Sequence, residues 1–131
     1  MAAAAVQPMA RRTLDSEVRC VLEWAPDCAP IESTRTAAGI QAAWGELASR
    51  RPTPVVLIGS APTALEELLA CIRAGAAAPS VLIGMPVGFV GVPESKCHLA
   101  ESGLPQIRLE GTRGGAGLVA AAVNALLRAA V

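Results

Sequence analysis

Tyrosine is absent from this 131-residue chain, and Trp24, Trp44 and Phe89 are its only aromatic residues. So few rings leave little on which bases could stack. Eleven basic residues against eleven acidic ones, with no run of either sign, leave no electrostatic footprint for nucleic acid or an anionic membrane. Histidine occurs once, at His98, and Cys20, Cys28, Cys71 and Cys97 form no C-x-x-C pair. Neither a metal site nor a disulfide framework is expected, and the four thiols read as reduced. No stretch approaches the roughly 18 apolar residues that a membrane-crossing helix needs. The opening MAAAAVQPMARR lacks the leucine-rich core of a signal peptide. It reads as a disordered leader over residues 1–16, ahead of one α/β domain over 17–131 in the cytoplasm. A catalytic constellation is missing too: Glu66 and Glu67 diverge as neighbours on a helix, and Ser60 and Ser95 have no histidine or lysine at a motif spacing. His98, on a short polar helix, reads as solvated.

What is present is a regular alternation. Val18, Cys20, Leu22 and Trp24 recur at every second position, which predicts a half-buried strand. A helix follows from Thr34, with Ala37, Ile40, Trp44 and Leu47 on one face, and ends before Pro52. Val55 to Gly59 is apolar on both faces and predicts a central strand covered on both sides. Ser60 is placed to cap a helix that starts through Pro62 and Thr63, buries Leu65, Leu68, Leu69 and Ile72, and stops at Gly75. Ser80 to Gly84 repeats the buried strand, Pro93 and Glu94 open a helix reaching Glu101, and Gln106 to Leu109 reads as a further strand. A last helix carries Val119, Val123, Leu126, Leu127 and Ala130 on its apolar side. Apolar strands joined through helices pair in parallel, which predicts a three-layer α/β unit with a mainly parallel sheet of about four strands.

The stretch Val81 to Lys96, VLIGMPVGFVGVPESK, sets glycines and prolines among apolar residues where a water-facing loop would be polar. Such a loop packs on its own sheet or shapes a wall for a ligand. In a parallel sheet it shares one edge with Ser60 to Thr63 and with the glycine turn GTRGGAG, Gly111 to Gly117. Helix amino ends there, with Arg113, Lys96 and Arg35 as cations, suit carboxylates or phosphates, and Met85, Val87, Phe89 and Val90 suit a flat apolar body. GTRGGAG is neither G-x-G-x-x-G nor a P-loop, so dinucleotide binding is not expected.

Three blocks, VVLIGSAPTALEELL from Val55, VLIGMPVGFVGVPESK from Val81 and IRLEGTRGGAGLVAAAVNALL from Ile107, resemble the precorrin-8X methylmutase family of cobalamin biosynthesis. VRCVL from Val18 and STRTAAGI from Ser33 add a weaker match. The resemblance implies an α/β homodimer that needs no cofactor, binds a tetrapyrrole near the subunit interface and moves a methyl group from C-11 to C-12, giving hydrogenobyrinate or cobyrinate. By the same resemblance Thr34 and Arg35, then Ser60, Ala61, Pro62 and Thr63, would line or shape the pocket. So would Pro86, Val87, Gly88, Phe89, Val90 and Gly91, followed by Glu94, Ser95 and Lys96, and finally Thr112, Arg113, Gly114 and Gly115. Ser60 stands where members commonly carry Asn. The family's protonating histidine belongs to an N-terminal region of several dozen residues, for which no counterpart is expected here; His98 is not at that position. A partner chain supplying that region, or a noncatalytic corrinoid-binding role, is the alternative that this departure leaves open.

Overall fold

Runs apolar on both faces are suited to a layer covered from both sides, and two such runs form the middle of the molecule. The computed structural model describes residues 5, 6, 8 and 17–129. Helix α1 (Arg35–Leu47) comes first, then strand β1 (Val56–Ile58), helix α2 (Pro62–Arg73), strand β2 (Leu82–Gly84), helix α3 (Val92–Glu101), strand β3 (Gln106–Arg108) and helix α4 (Ala116–Ala129). The strands lie side by side in chain order, all parallel, with Leu57 opposite Ile83 and Ile83 opposite Ile107, so that among the described residues β2 is central and β1, expected to be central, is an edge strand. Parallel neighbours need crossovers, and α2 and α3 supply them.

Alternation along the strands sorts the side chains between two faces. Val56, Ile58 and Leu82 join Ile40, Trp44, Leu65, Leu68, Leu69 and Leu99 on the side of α1, α2 and α3. Leu57, Ile83 and Met85 meet Val119 of α4 on the other. The result is the expected three-layer α/β arrangement. Trp44 is 2% exposed, and its indole N–H donates to the Ala77 carbonyl at 2.8 Å, so the ring is buried without an orphaned donor.

The sequence differs from the fold at several points. Among the described residues there are three strands, not about four, because Val21–Trp24 is a turn of 3-10 helix. Local bonds win there: the Glu23 N–H donates to the Cys20 carbonyl at 3.0 Å and the Ala25 N–H to that of Leu22 at 3.1 Å. Arg19 binds the Glu23 carboxylate, holding its pKa below the ordinary value, and Trp24 Nε1 donates to Glu46 Oε2 of α1 at 2.7 Å. Ser60 does not cap α2. Pro62, fixed in a helical φ, starts the helix one residue later than expected, so Ala61 is the capping residue and offers no side-chain bond. On α4, Val119 and Ala120 are buried, but Leu126 is 47% exposed. Fourteen helical residues span roughly 21 Å and three strand residues roughly 10 Å, so the helix outruns the sheet. Ala130 lies outside the described residues. So does the expected leader, apart from residues 5, 6 and 8, of which Val6 is 3% exposed and packs with Ala120.

Candidate functional site

Since all three strands are parallel, their carboxyl ends and the amino ends of α2, α3 and α4 share one edge. α1 reaches the same edge through Thr34. Its Oγ1 accepts from the Ala37 N–H at 3.1 Å, capping α1, and lies 2.9 Å from the Thr63 hydroxyl on α2. Thr34, Ala61 and Pro62 are half-buried there, while Ser60 and Thr63 are exposed.

The other part of the edge is made by the β2–α3 loop and the turn after β3. Gly88 N–H donates to the Thr112 carbonyl at 3.0 Å and Gly115 N–H to that of Met85 at 2.9 Å. Gly114 packs flat on this loop: a Cβ there would meet the Pro86 carbonyl oxygen at 2.7 Å and the Met85 carbonyl closer still. At Gly59 a Cβ would stand 2.7 Å from the Ala116 Cα, so the end of β1 abuts the start of α4. These close approaches fasten the three loops into one surface.

On α3 the spacing 92, 95, 96, 99 is a helical stripe, and Val92, Ser95, Lys96 and Leu99 are all buried. That stripe corrects the role expected of Lys96. Instead of offering a cation at the edge, it is 3% exposed, and its Nζ donates inward to the Gly111 carbonyl at 2.8 Å and the Arg113 carbonyl at 2.6 Å. Burial lowers its pKa. Ser95 is fully buried and donates to the Val92 carbonyl at 2.9 Å, and Pro86 is also buried, so these residues shape the edge without facing outward. The cations that do face solvent are Arg113 and Arg35, whose Nε donates to the Pro26 carbonyl at 2.8 Å. Among the described residues neither makes an ion pair with a carboxylate. Beside them Val87, Phe89 and Val90 are 46%, 80% and 93% exposed, and Gly91 and Glu94 of the α3 amino end are exposed as well. Cationic groups, unpaired helix amides and a protruding apolar loop can together hold a polyanion with an apolar body.

A separate concavity lies away from this edge. A groove of about 320 Å³ runs between α2 and α3, lined by Leu69, Ile72, Arg73, His98, Glu101, Ser102 and Leu104. Above it His98 Nδ1 and Glu66 Oε1 are 2.6 Å apart, both side chains partly exposed. Sequence reasoning had no signal for this pair, which joins residues 32 positions apart. The signal for Lys96 was present, in its place on the α3 stripe. All four cysteines are free, and burial, with Glu67 nearby, pushes the Cys71 thiol up. Among the described residues no cluster of His, Cys, Asp and Glu is arranged to hold a metal ion, and no helix is long and apolar enough to cross a membrane.

Comparison with known proteins agrees with the blocks read from the sequence. A cobalt-precorrin-8 methylmutase from Synechocystis is 39% identical over 122 residues, covering 93% of this chain and 54% of that protein. A precorrin-8X methylmutase from a Sinorhizobium species is 48% identical over 102 residues, covering 76% and 47%. The solved precorrin-8X methylmutase of Thermus thermophilus superposes with a TM-score of 0.81 at 38% identity, over 99% of this chain and 62% of that one. The chain thus spans about half the length of the curated relatives it matches. The family model for precorrin-8X methylmutase matches residues 1–129, so the likeness includes the residues ahead of the 3-10 turn. On these matches, and on a fold shared with a solved member, the chain belongs to the precorrin-8X methylmutase family.

Proposed function

We propose that the chain serves the precorrin-8X methylmutase reaction of cobalamin biosynthesis, an intramolecular shift of a methyl group from C-11 to C-12 of the macrocycle. The match of the family model over residues 1–129 carries this reading. The chemistry of the edge supports it: the substrate is an apolar macrocycle rimmed by carboxylates, and the edge pairs an apolar loop with solvent-facing arginines and helix amino ends. The ring lies against Val87, Phe89 and Val90, and its carboxylates meet Arg113, Arg35 and the amides at the starts of α2 and α4. Thr34, Ser60, Thr63 and Thr112 offer hydroxyls at the same edge.

These residues bind and orient the ring. Proton transfer has no evident agent among them, because His98 stands six residues into α3, roughly 9 Å from its amino end, and faces Glu66. The protein works in the cytoplasm as a homodimer and without a cofactor. Absorbance titration with hydrogenobyrinic acid, the metal-free product, tests the reading. Saturation near one ring per chain is expected, with a severalfold weaker affinity in Arg113→Ala; folded protein that leaves the spectrum unchanged would overturn it.

A further inference from the structure

The turn that carries Arg113 belongs to no helix or strand, since Gly111 to Gly115 only joins β3 to α4. Its neighbours give it shape. Three consecutive carbonyls are held from outside the turn: Gly111 and Arg113 accept from Lys96 Nζ at 2.8 and 2.6 Å, and Thr112 accepts from the Gly88 N–H at 3.0 Å. Lys96 reaches them from the buried stripe of α3, and among the described residues it has no carboxylate partner. An ammonium buried without an anion is costly to keep, and the flanking stripe positions are filled by Val92 and Leu99. Lysine at this place is therefore not explained by packing. Although Lys96 lines a hollow of about 220 Å³ with Pro93, Cys97 and Gly111, it is 3% exposed and its ammonium is turned to the Gly111 and Arg113 carbonyls.

From these bonds we infer that Lys96 is a positioning residue, which fixes the Gly111–Arg113 turn from within and so sets where the Arg113 guanidinium stands for a ligand carboxylate. The identity of the ligand rests on the tetrapyrrole reading above; the clamp rests on the hydrogen bonds alone. Arg113 is held at its own carbonyl while its side chain stays exposed, so the backbone from which the guanidinium extends has little freedom. Gly88 and Gly115 tie the same turn to the β2–α3 loop, which makes α3, loop and turn one unit.

Hydrogen exchange and ring binding together test the inference on the full chain. In Lys96→Met the amides of Gly88 and Gly115 should exchange at least about tenfold faster while those of α2 keep their protection. Affinity for hydrogenobyrinic acid should fall severalfold, by no more than in Arg113→Ala; Arg113→Ala should add no further loss in that background, and Lys96→Arg should restore part of the affinity through its several donors. Unchanged exchange at Gly88 and Gly115 would overturn the clamp, and so would an Arg113→Ala effect as large in the variant as in the native chain. If the native chain binds no ring, the exchange comparison still decides the clamp, and it is the proposed function that fails. Should Lys96→Met not fold, Lys96→Gln carries the same comparisons.

Discussion

The two ends of α3 differ in kind. At its carboxyl half a groove of about 320 Å³ opens beside His98 and Glu66, a concavity at the lower end of what small-molecule sites enclose. Toward its amino end a smaller hollow of about 220 Å³ is lined by Pro93, Lys96, Cys97 and Gly111, and the side chains there are far more constrained: Lys96 and Ser95 are buried, three carbonyls of the neighbouring turn are bonded, and Gly114 lies on the Met85–Pro86 backbone with no room for a Cβ. Depth and construction thus point to different places. A groove between two amphipathic helices arises wherever their side chains taper apart. A buried cation aimed at backbone carbonyls requires compensation at every atom, and it is the amino end that carries the family's glycine-rich blocks.

Substitutions can press on this contrast, and the largest effect is expected where the two ends meet. Leu99 is fully buried between β2 and α2, and Leu99→Ala should cost about 2–5 kcal/mol in chemical denaturation, lowering both ends together. A selective loss of ring binding at unchanged stability would show the ends to be uncoupled. Next is Gly114→Ala, whose methyl group must displace the Met85 and Pro86 carbonyls; about 1–3 kcal/mol of stability should go, along with ring affinity in the absorbance titration. His98→Ala, at the other end, should change stability by less than about 1 kcal/mol and leave ring affinity unaltered, since its pair with Glu66 is partly exposed. A tenfold loss of affinity there would move the site to the groove.

The smallest effect is a dependence on pH. Burial lowers the Lys96 pKa below the 10.5 of an ordinary lysine, so between the lowered value and 10.5 the unfolded chain binds more protons than the folded one. Stability contributed by this group therefore rises with pH across that window and is flat below it, where both states are charged. Denaturation midpoints of the native chain and Lys96→Met, compared on the alkaline side, should differ in slope in that direction. Parallel slopes would mean that Lys96 is not desolvated in solution.

How much of this was legible varies with the range of the interactions. β1, β2 and α2 were readable because a run such as Val55 to Gly59 has one way to be apolar on both sides, and because Pro62 and Gly75 mark helix ends by local geometry. The segment from Val18 was misread because alternation over seven residues fits an edge strand and a short turn equally. What decided it was the pairing of Arg19 with Glu23 and of Trp24 with Glu46, the latter on another element. Ser60 was misplaced by one residue, enough to move it from a capping position to an exposed one. The glycine turns announced an unusual surface but not their partners: only in three dimensions does Gly114 face Pro86, and only there does Thr34 meet Thr63.

By itself the sequence determined the order of strands and helices from α1 onward, the parallel sheet that this order imposes, the edge where its loops collect and the family whose blocks it carries. Those features follow from periodicity, from the φ restrictions of proline and glycine and from short-range hydrogen bonding, all of which act between near neighbours. Only the tertiary structure decided which of three expected cations faces outward. Arg113 and Arg35 remain at the surface, whereas Lys96 turns inward to the Gly111 and Arg113 carbonyls, because the stripe it occupies on α3 is the one that the sheet and the glycine turn cover.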